Sequence, residues 1–168
     1  RHLAVSAEAR LEKGEQGVRL LAGIYRQYEL IYIVGTEEDI FQLRTNYRHE
    51  DVYLYPTTTT RKQAALLLED LLKRAADLKE RPRFYNTVLF NCTSSLYPSI
   101  RRVKPSFKAS LELLFNGVSD QLTYRSGWLC PGRPGESFGE YKKRHFVNPY
   151  VDKLDNPPDY SARIRSGF

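Results

Sequence analysis

Cys92 is the residue of this chain whose type and setting best suit chemistry. Asn91, directly before it, is a favourable helix N-cap residue, so the pattern predicts Cys92 as the first residue of a helix. At that position the helix dipole and unpaired backbone N–H groups stabilise thiolate, the reactive form of cysteine. The same N–H groups suit the oxyanion of an acyl-transfer intermediate. We therefore predict a cysteine nucleophile supported by Asn91 and Thr93; the alternative is a small, inert core side chain.

The second cysteine, Cys130, opens a stretch rich in Gly and Pro, residues 130–139, that predicts a loop. Two cysteines permit one disulfide but do not make a disulfide framework. Because no Cys/His cluster has the spacing of metal ligands, we expect neither a metal nor a cofactor. The reactive thiol is therefore expected to be Cys92 and not Cys130.

The elements that position Cys92 favour one α+β domain over residues 1–168. Residues 28–35 are β-branched, aromatic and almost continuously apolar, which is typical of a central strand. Further elements are expected as strands over residues 2–9 and 51–55, as a short helix capped by Thr36, and as helices over residues 106–115 and after residue 148.

A long amphipathic helix is predicted to cover the sheet. Thr60 and Gln63 form a capping box at its start, and the helix should end before Pro82. Its apolar stripe leaves Asp70, paired with Arg74 four residues on, on the opposite side.

The chain carries a net charge of +6, from 26 Lys and Arg against 20 Asp and Glu, and it contains 12 Tyr and 8 Phe. The basic residues are scattered, and no nucleic-acid-binding motif is present, so we do not expect nucleic acid as a partner. No apolar run reaches the length of a membrane span, and no signal peptide is visible. Export signals and membrane contacts are therefore expected in segments outside this chain.

Several segments, among them YELIYIVGTEEDIFQLRTNYR and RPRFYNTVLFNCTSSL, resemble the Lnb N-terminal periplasmic domain family, and the resemblance runs in order over nearly all of the chain. It implies an extracytoplasmic domain with a permuted papain-like fold, in which helices pack on a central, mostly antiparallel sheet. It also implies chemistry like that of a lipoprotein N-acyltransferase, through an S-acyl enzyme on Cys92.

The chain departs from the family in its histidines. The family carries a histidine on a strand just upstream of the segment that matches RHLAVSAEAR, and this chain starts at Arg1. His49 and His145 lie among charged residues and are expected at the surface. His2 is expected as a strand-end residue that could support the site. The resemblance implies that Glu8 orients the imidazole of the upstream histidine.

Alternatives remain open for Glu8 and for the function. Glu8 is equally well interpreted as an exposed carboxylate paired with Arg10. The favoured function is cysteine-dependent acyl transfer with membrane phospholipid or a lipoprotein as substrate, for which aromatic and basic side chains suit anionic headgroups. The alternatives are a thiol peptidase or amidase of the cell envelope and a non-catalytic envelope binding module. An apolar tunnel would favour a lipid substrate, and a polar groove would favour a peptide.

Overall fold

The computed structural model describes residues 2–10, 28–85, 92–107, 119–151 and 158–168. The chain is of the α+β class, as predicted. Its strands are β1 (Leu3–Arg10), β2 (Tyr28–Thr36) and β3 (Phe84–Tyr85). Its helices are α1 (Glu37–Gln42), which continues into a π-helical turn (Leu43–Tyr47), α2 (Arg61–Glu80), α3 (Cys92–Val103), α4 (Ser119–Arg125), α5 (Phe138–Arg144), α6 (Asn148–Val151) and α7 (Tyr160–Arg163).

The three strands form one sheet in the order β1-β2-β3, so the prediction that β2 is central is confirmed. β2 pairs with β3 in antiparallel fashion, and Tyr28 lies opposite Tyr85. Of the residues of β2, Tyr28 and Leu30 are buried, and both lie on one side of the sheet. Ala7, Tyr28, Leu30 and Tyr85 form the buried cluster on this sheet.

Contact density divides the chain into two compact units. We call Val5–Ile33 with Thr59–Ser126 the sheet unit, because it holds β3 and most of β1 and β2. We call Arg1–Ala4, Val34–Thr58 and Gly127–Phe168 the terminal unit.

Helix α2 of the sheet unit has the predicted start and end. Thr60 and Gln63 form the capping box, and the helix ends two residues before Pro82. The orientation predicted for Asp70 is wrong, since Asp70 is buried while Leu72 is 45% exposed. Two arginines explain this, because Arg74 and Arg102 both bind the Asp70 carboxylate and compensate for its burial.

Helices α2 and α3 are held together by polar contacts. Arg102 Nη1 of α3 lies 2.7 Å from Asp70 Oδ1 of α2. Gln63 Nε2 donates to the Val103 carbonyl oxygen over 3.0 Å. Because Gln63 lies at the start of α2 and Val103 at the end of α3, the two helices run in opposite directions. These contacts fix the helix that carries Cys92.

The terminal unit has its own core, made of Val147, Val151, Tyr160 and Ile164. The strand predicted for residues 51–55 is not formed; Tyr53 makes an isolated bridge to Phe146 instead. The predicted loop at residues 130–139 ends early, because a capping box of Ser137 with Glu140 starts α5 at Phe138.

The prediction of a surface position is wrong for His145 and correct for His49. His145 is only 1% exposed, whereas His49 is exposed. His145 follows the last residue of α5, and its ring packs against Tyr141 and Phe168 at centroid distances of 4.2 and 4.7 Å. Its Nδ1 lies 2.7 Å from the Tyr141 carbonyl oxygen and donates to it. A residue at a helix end can therefore be buried even when the residues before it in the sequence are basic.

Some predictions fall on residues outside those that the structure describes. These are the helix over residues 106–115 from residue 108 onward and the N-cap role of Asn91. They stay predictions.

Candidate active site

Cys92 is the first described residue of α3; it is partly buried and takes part in no disulfide. Its side chain packs against the buried cluster of the sheet unit. Ser95 Oγ donates to the Cys92 carbonyl oxygen over 3.0 Å, and Thr93 Oγ1 lies 4.0 Å from Cys92 Sγ. Thr93 is thus next to the thiol, as its predicted supporting role requires.

Tyr85, the last residue of β3, joins the sheet to Cys92. Tyr85 is only 6% exposed, and its hydroxyl lies close enough to Cys92 to interact with the thiol and with the backbone N–H of that residue. Burial, the adjacent Cys92 and the charge of Glu8 raise the pKa of Tyr85 above its ordinary value. Tyr85 therefore stays protonated and remains a donor toward the thiol at neutral pH.

Glu8 lies on β1, between Ala7 and Ala9. It is 8% exposed, so the alternative of an exposed carboxylate is wrong. Its Oε1 accepts a hydrogen bond of 2.7 Å from Ser6 Oγ, while Arg10 pairs with Glu29 instead. The structure thus places Tyr85 beside Cys92, and the charge of Glu8 reaches the Tyr85 hydroxyl. A buried carboxylate is costly unless it has partners, and Ser6 is one partner of Glu8.

A cavity of about 440 Å³ opens beside this cluster, within the sheet unit. Its apolar lining is formed by Leu30, Tyr32, Leu78, Pro82, Phe84 and Pro98. Leu30, Tyr32 and Leu78 also belong to the packing group that Cys92 joins, so the cavity and the thiol share three side chains. Burial raises the pKa of Tyr32, whose hydroxyl donates to the Ser95 carbonyl oxygen at 3.4 Å.

His2 belongs to a different polar group. It lies in the terminal unit, where its Nδ1 is 2.7 Å from Ser161 Oγ and 3.7 Å from Glu37 Oε2. Ser161 and Arg165 both donate to the Glu37 carboxylate. Burial opposes ionisation of Glu37, but Arg165 and Ser161 outweigh it and hold the pKa of Glu37 below its usual range. His2, His49 and His145 all lie in the terminal unit, and Cys92 lies in the sheet unit.

Sequence reasoning missed Tyr85. The residue stands seven positions before Cys92 in the segment RPRFYNTVLFNC, at the end of a strand of two residues. A tyrosine that ends a strand shortly before a helix with a cysteine in its first turn is the available signal. Its side-chain direction depends on the β2–β3 register, which the sequence does not specify.

The chain matches the model of a known protein family. The model of the Lnb N-terminal periplasmic domain matches residues 2–126, about three quarters of the chain. The chain belongs to this family. The match covers all described residues of the sheet unit, including Glu8, Tyr85 and Cys92, and ends just before Gly127. No curated protein and no solved structure matches the chain.

Membership of the Lnb N-terminal periplasmic domain family confirms the predicted extracytoplasmic location, since the family is a periplasmic domain. Among the residues that the structure describes, no helix is both long and apolar enough to cross a membrane.

Proposed function

We propose that this domain catalyses cysteine-dependent acyl transfer in the cell envelope, with Cys92 as the nucleophile. The observation that carries the proposal is the buried Tyr85 hydroxyl beside Cys92, a phenol that can donate to a thiolate and that the charge of Glu8 also reaches. A structural cysteine needs no such donor, because a thiol packs as a small hydrophobe. A thiolate, in contrast, is stabilised by a nearby hydrogen-bond donor.

The reaction proceeds in two balanced steps. The Cys92 thiolate attacks the carbonyl carbon of a lipid ester, a C–S bond forms, the ester C–O bond breaks, and the alcohol leaves with a proton. The amine of a lipoprotein then attacks the thioester, an amide bond forms, and the thiol is regenerated. The proposed base is the histidine of an upstream strand that the family resemblance implies, oriented by Glu8.

The proposal includes the geometry expected of papain-like enzymes. In it, Asn91 caps α3, Cys92 is the first helical residue, and backbone N–H groups of the first turn bind the oxyanion. Two observations support this geometry: Cys92 is the first described residue of α3, and the sheet packs directly against its side chain. The apolar lining of the adjacent cavity favours a lipid acyl donor over a peptide.

The test is to incubate the full-length protein with phospholipid vesicles and to measure its intact mass. We expect an acyl adduct that maps to Cys92 and that a lipopeptide amine then removes. Cys92→Ala should form no adduct, and Cys130→Ala, the matched control, should form it at the wild-type rate. Cys92-dependent cleavage of cell-wall peptides without any lipid adduct would replace the acyltransferase by a thiol peptidase.

A further inference from the structure

The cavity of the sheet unit has an inner apolar end and an exposed rim. Leu30 and Ser95 at its inner end are buried. Pro82, Arg83 and Phe84 at the rim are exposed. Phe84 leaves 57% of its surface in solvent although it is a large apolar side chain. The cavity is thus open to solvent, and its volume of about 440 Å³ lies in the range of small-molecule sites, about 300–1,000 Å³.

The charged side chains that line the cavity differ in their partners. Arg74 is held by Asp70, with its Nε 2.8 Å from the carboxylate. The guanidinium of Arg83 has no hydrogen bond and no ion pair with any residue in the described ranges. Asp77 also lines the cavity and is exposed. Within the described part of the lining, Arg83 is therefore a cation at the rim that can pair with an anionic group of a ligand.

We propose that this cavity binds one acyl chain of an anionic phospholipid, and that Arg83 pairs with the phosphate of its headgroup. An aliphatic chain suits the apolar part of the lining, because Leu30, Leu78 and Pro98 offer it only apolar surface. A guanidinium at the rim suits a phosphate, which it binds through charge-assisted hydrogen bonds. The inference rests on the proposed acyl transfer and adds the place where the donor lipid is held.

Binding is measured separately from chemistry in the full-length Cys92→Ala protein. The probe is the fluorescent fatty acid dansylaminoundecanoic acid, and the competitors are lysophospholipids below their micelle concentration. We expect lysophosphatidylglycerol to displace the probe at a concentration roughly tenfold lower than lysophosphatidylcholine, whose headgroup has no net charge. Inorganic phosphate alone should not displace it, because the chain supplies most of the buried contact.

Variants of the rim test the two parts of the site. Arg83→Gln should weaken binding of lysophosphatidylglycerol roughly tenfold and that of lysophosphatidylcholine much less, because the choline cation already offsets the charge of its phosphate. Asp77→Asn should keep or slightly tighten binding of the anionic lipid, since it removes a like charge. Phe84→Asp should weaken both lipids. Arg81→Gln and Tyr47→Asp change an exposed arginine and an exposed aromatic residue away from the lining, and neither should affect binding.

The outcomes separate this inference from the proposed function. Equal competition by the two lysophospholipids, or an Arg83→Gln variant identical to wild type, would overturn the role of Arg83. Absence of probe binding, or displacement by a cell-wall peptide, would overturn the acyl-chain site, even if wild-type protein still formed the Cys92 adduct. Selective lipid binding by Cys92→Ala with no adduct on wild-type protein would support the site and contradict the acyl transfer.

Discussion

Both units bury ionisable side chains, but they surround them differently. In the sheet unit, Tyr85 lies beside Cys92 and near an open cavity. In the terminal unit, His145 is enclosed by aromatic rings, and its Nε2 has no partner among the described residues. The Tyr160 hydroxyl there is likewise buried without a partner among those residues. A buried ionisable group is therefore informative about function only when a ligand can reach it.

The largest effect is expected from breaking the contact that holds α3. Asp70→Asn should lower the free energy of unfolding by about 2 kcal/mol, because it weakens two hydrogen bonds to arginine. The nearby Ser99 hydroxyl, although short of regular hydrogen-bond geometry, and the two guanidinium groups hold the pKa of Asp70 well below its usual range. The stabilisation is therefore complete above the unfolded pKa of about 3.9 and is lost as the pH falls below it.

Urea titrations at several pH values measure this effect. The matched control is Glu69→Gln, which removes an exposed i,i+4 pair with Lys73 next to the same position. Little change is expected there, because exposed pairs contribute little. Equal stability losses in the two variants would show that the Asp70 contact does not hold the helices together.

The second prediction compares the two buried tyrosines directly. Tyr85→Phe should slow formation of the Cys92 adduct about tenfold, since it removes a hydroxyl that can donate to the thiolate when it forms. Tyr160→Phe should leave the rate unchanged. It should also keep or raise stability, because the hydroxyl it removes has no partner in the described structure.

Adduct formation by intact mass and unfolding by urea are measured on both variants. The ratio of iodoacetamide labelling at Cys92 to that at Cys130 gives a second readout, and it should fall only in Tyr85→Phe. If Tyr85→Phe formed the adduct at the wild-type rate, Tyr85 would be only a core residue. The two buried tyrosines, Tyr85 and Tyr160, would then not differ in function.

The smallest effect is expected at His145, as a pH dependence of stability. Burial lowers the pKa of His145 below its ordinary value, so the unfolded chain takes up the proton more readily than the folded chain. Its contribution to stability is present above the unfolded pKa of about 6.5 and is lost as the pH falls toward the folded pKa. His145→Gln should flatten the stability profile between about pH 7.5 and about pH 5.

The exposed His49 provides the control, because His49→Gln should keep the wild-type profile. An unchanged profile in His145→Gln would mean that carboxylates alone govern the acid sensitivity in this range.

Local signals were sufficient for several elements of the fold. The caps at Thr36 and Thr60 and the continuous apolar run of β2 were predicted correctly, because each depends on neighbouring residues. Long-range contacts were not predictable in this way. Asp70 is buried because Arg102, 32 positions away, binds it, and a stripe of apolar residues in α2 does not show this partner.

The candidate site was also predicted only in part. Cys92 was proposed from its place after Asn91, and Glu8 from its place on β1 together with the family resemblance; both stay predictions. Tyr85 was missed because its contact with Cys92 needs the pairing of β3 with β2. The cavity was also missed, since it is built from side chains of strands and helices far apart in sequence.

Gln63 links the motions of two helix ends. Its Oε1 accepts from the Thr60 backbone N–H at the start of α2, and its Nε2 donates to the Val103 carbonyl oxygen at the end of α3. When the first turn of α2 frays, the last turn of α3 loses a partner at the same moment. Native-state hydrogen exchange should therefore report these two turns as one opening unit, with a common opening free energy. Gln63 thus couples the opening of the last turn of α3, the helix that carries Cys92, to the opening of the first turn of α2.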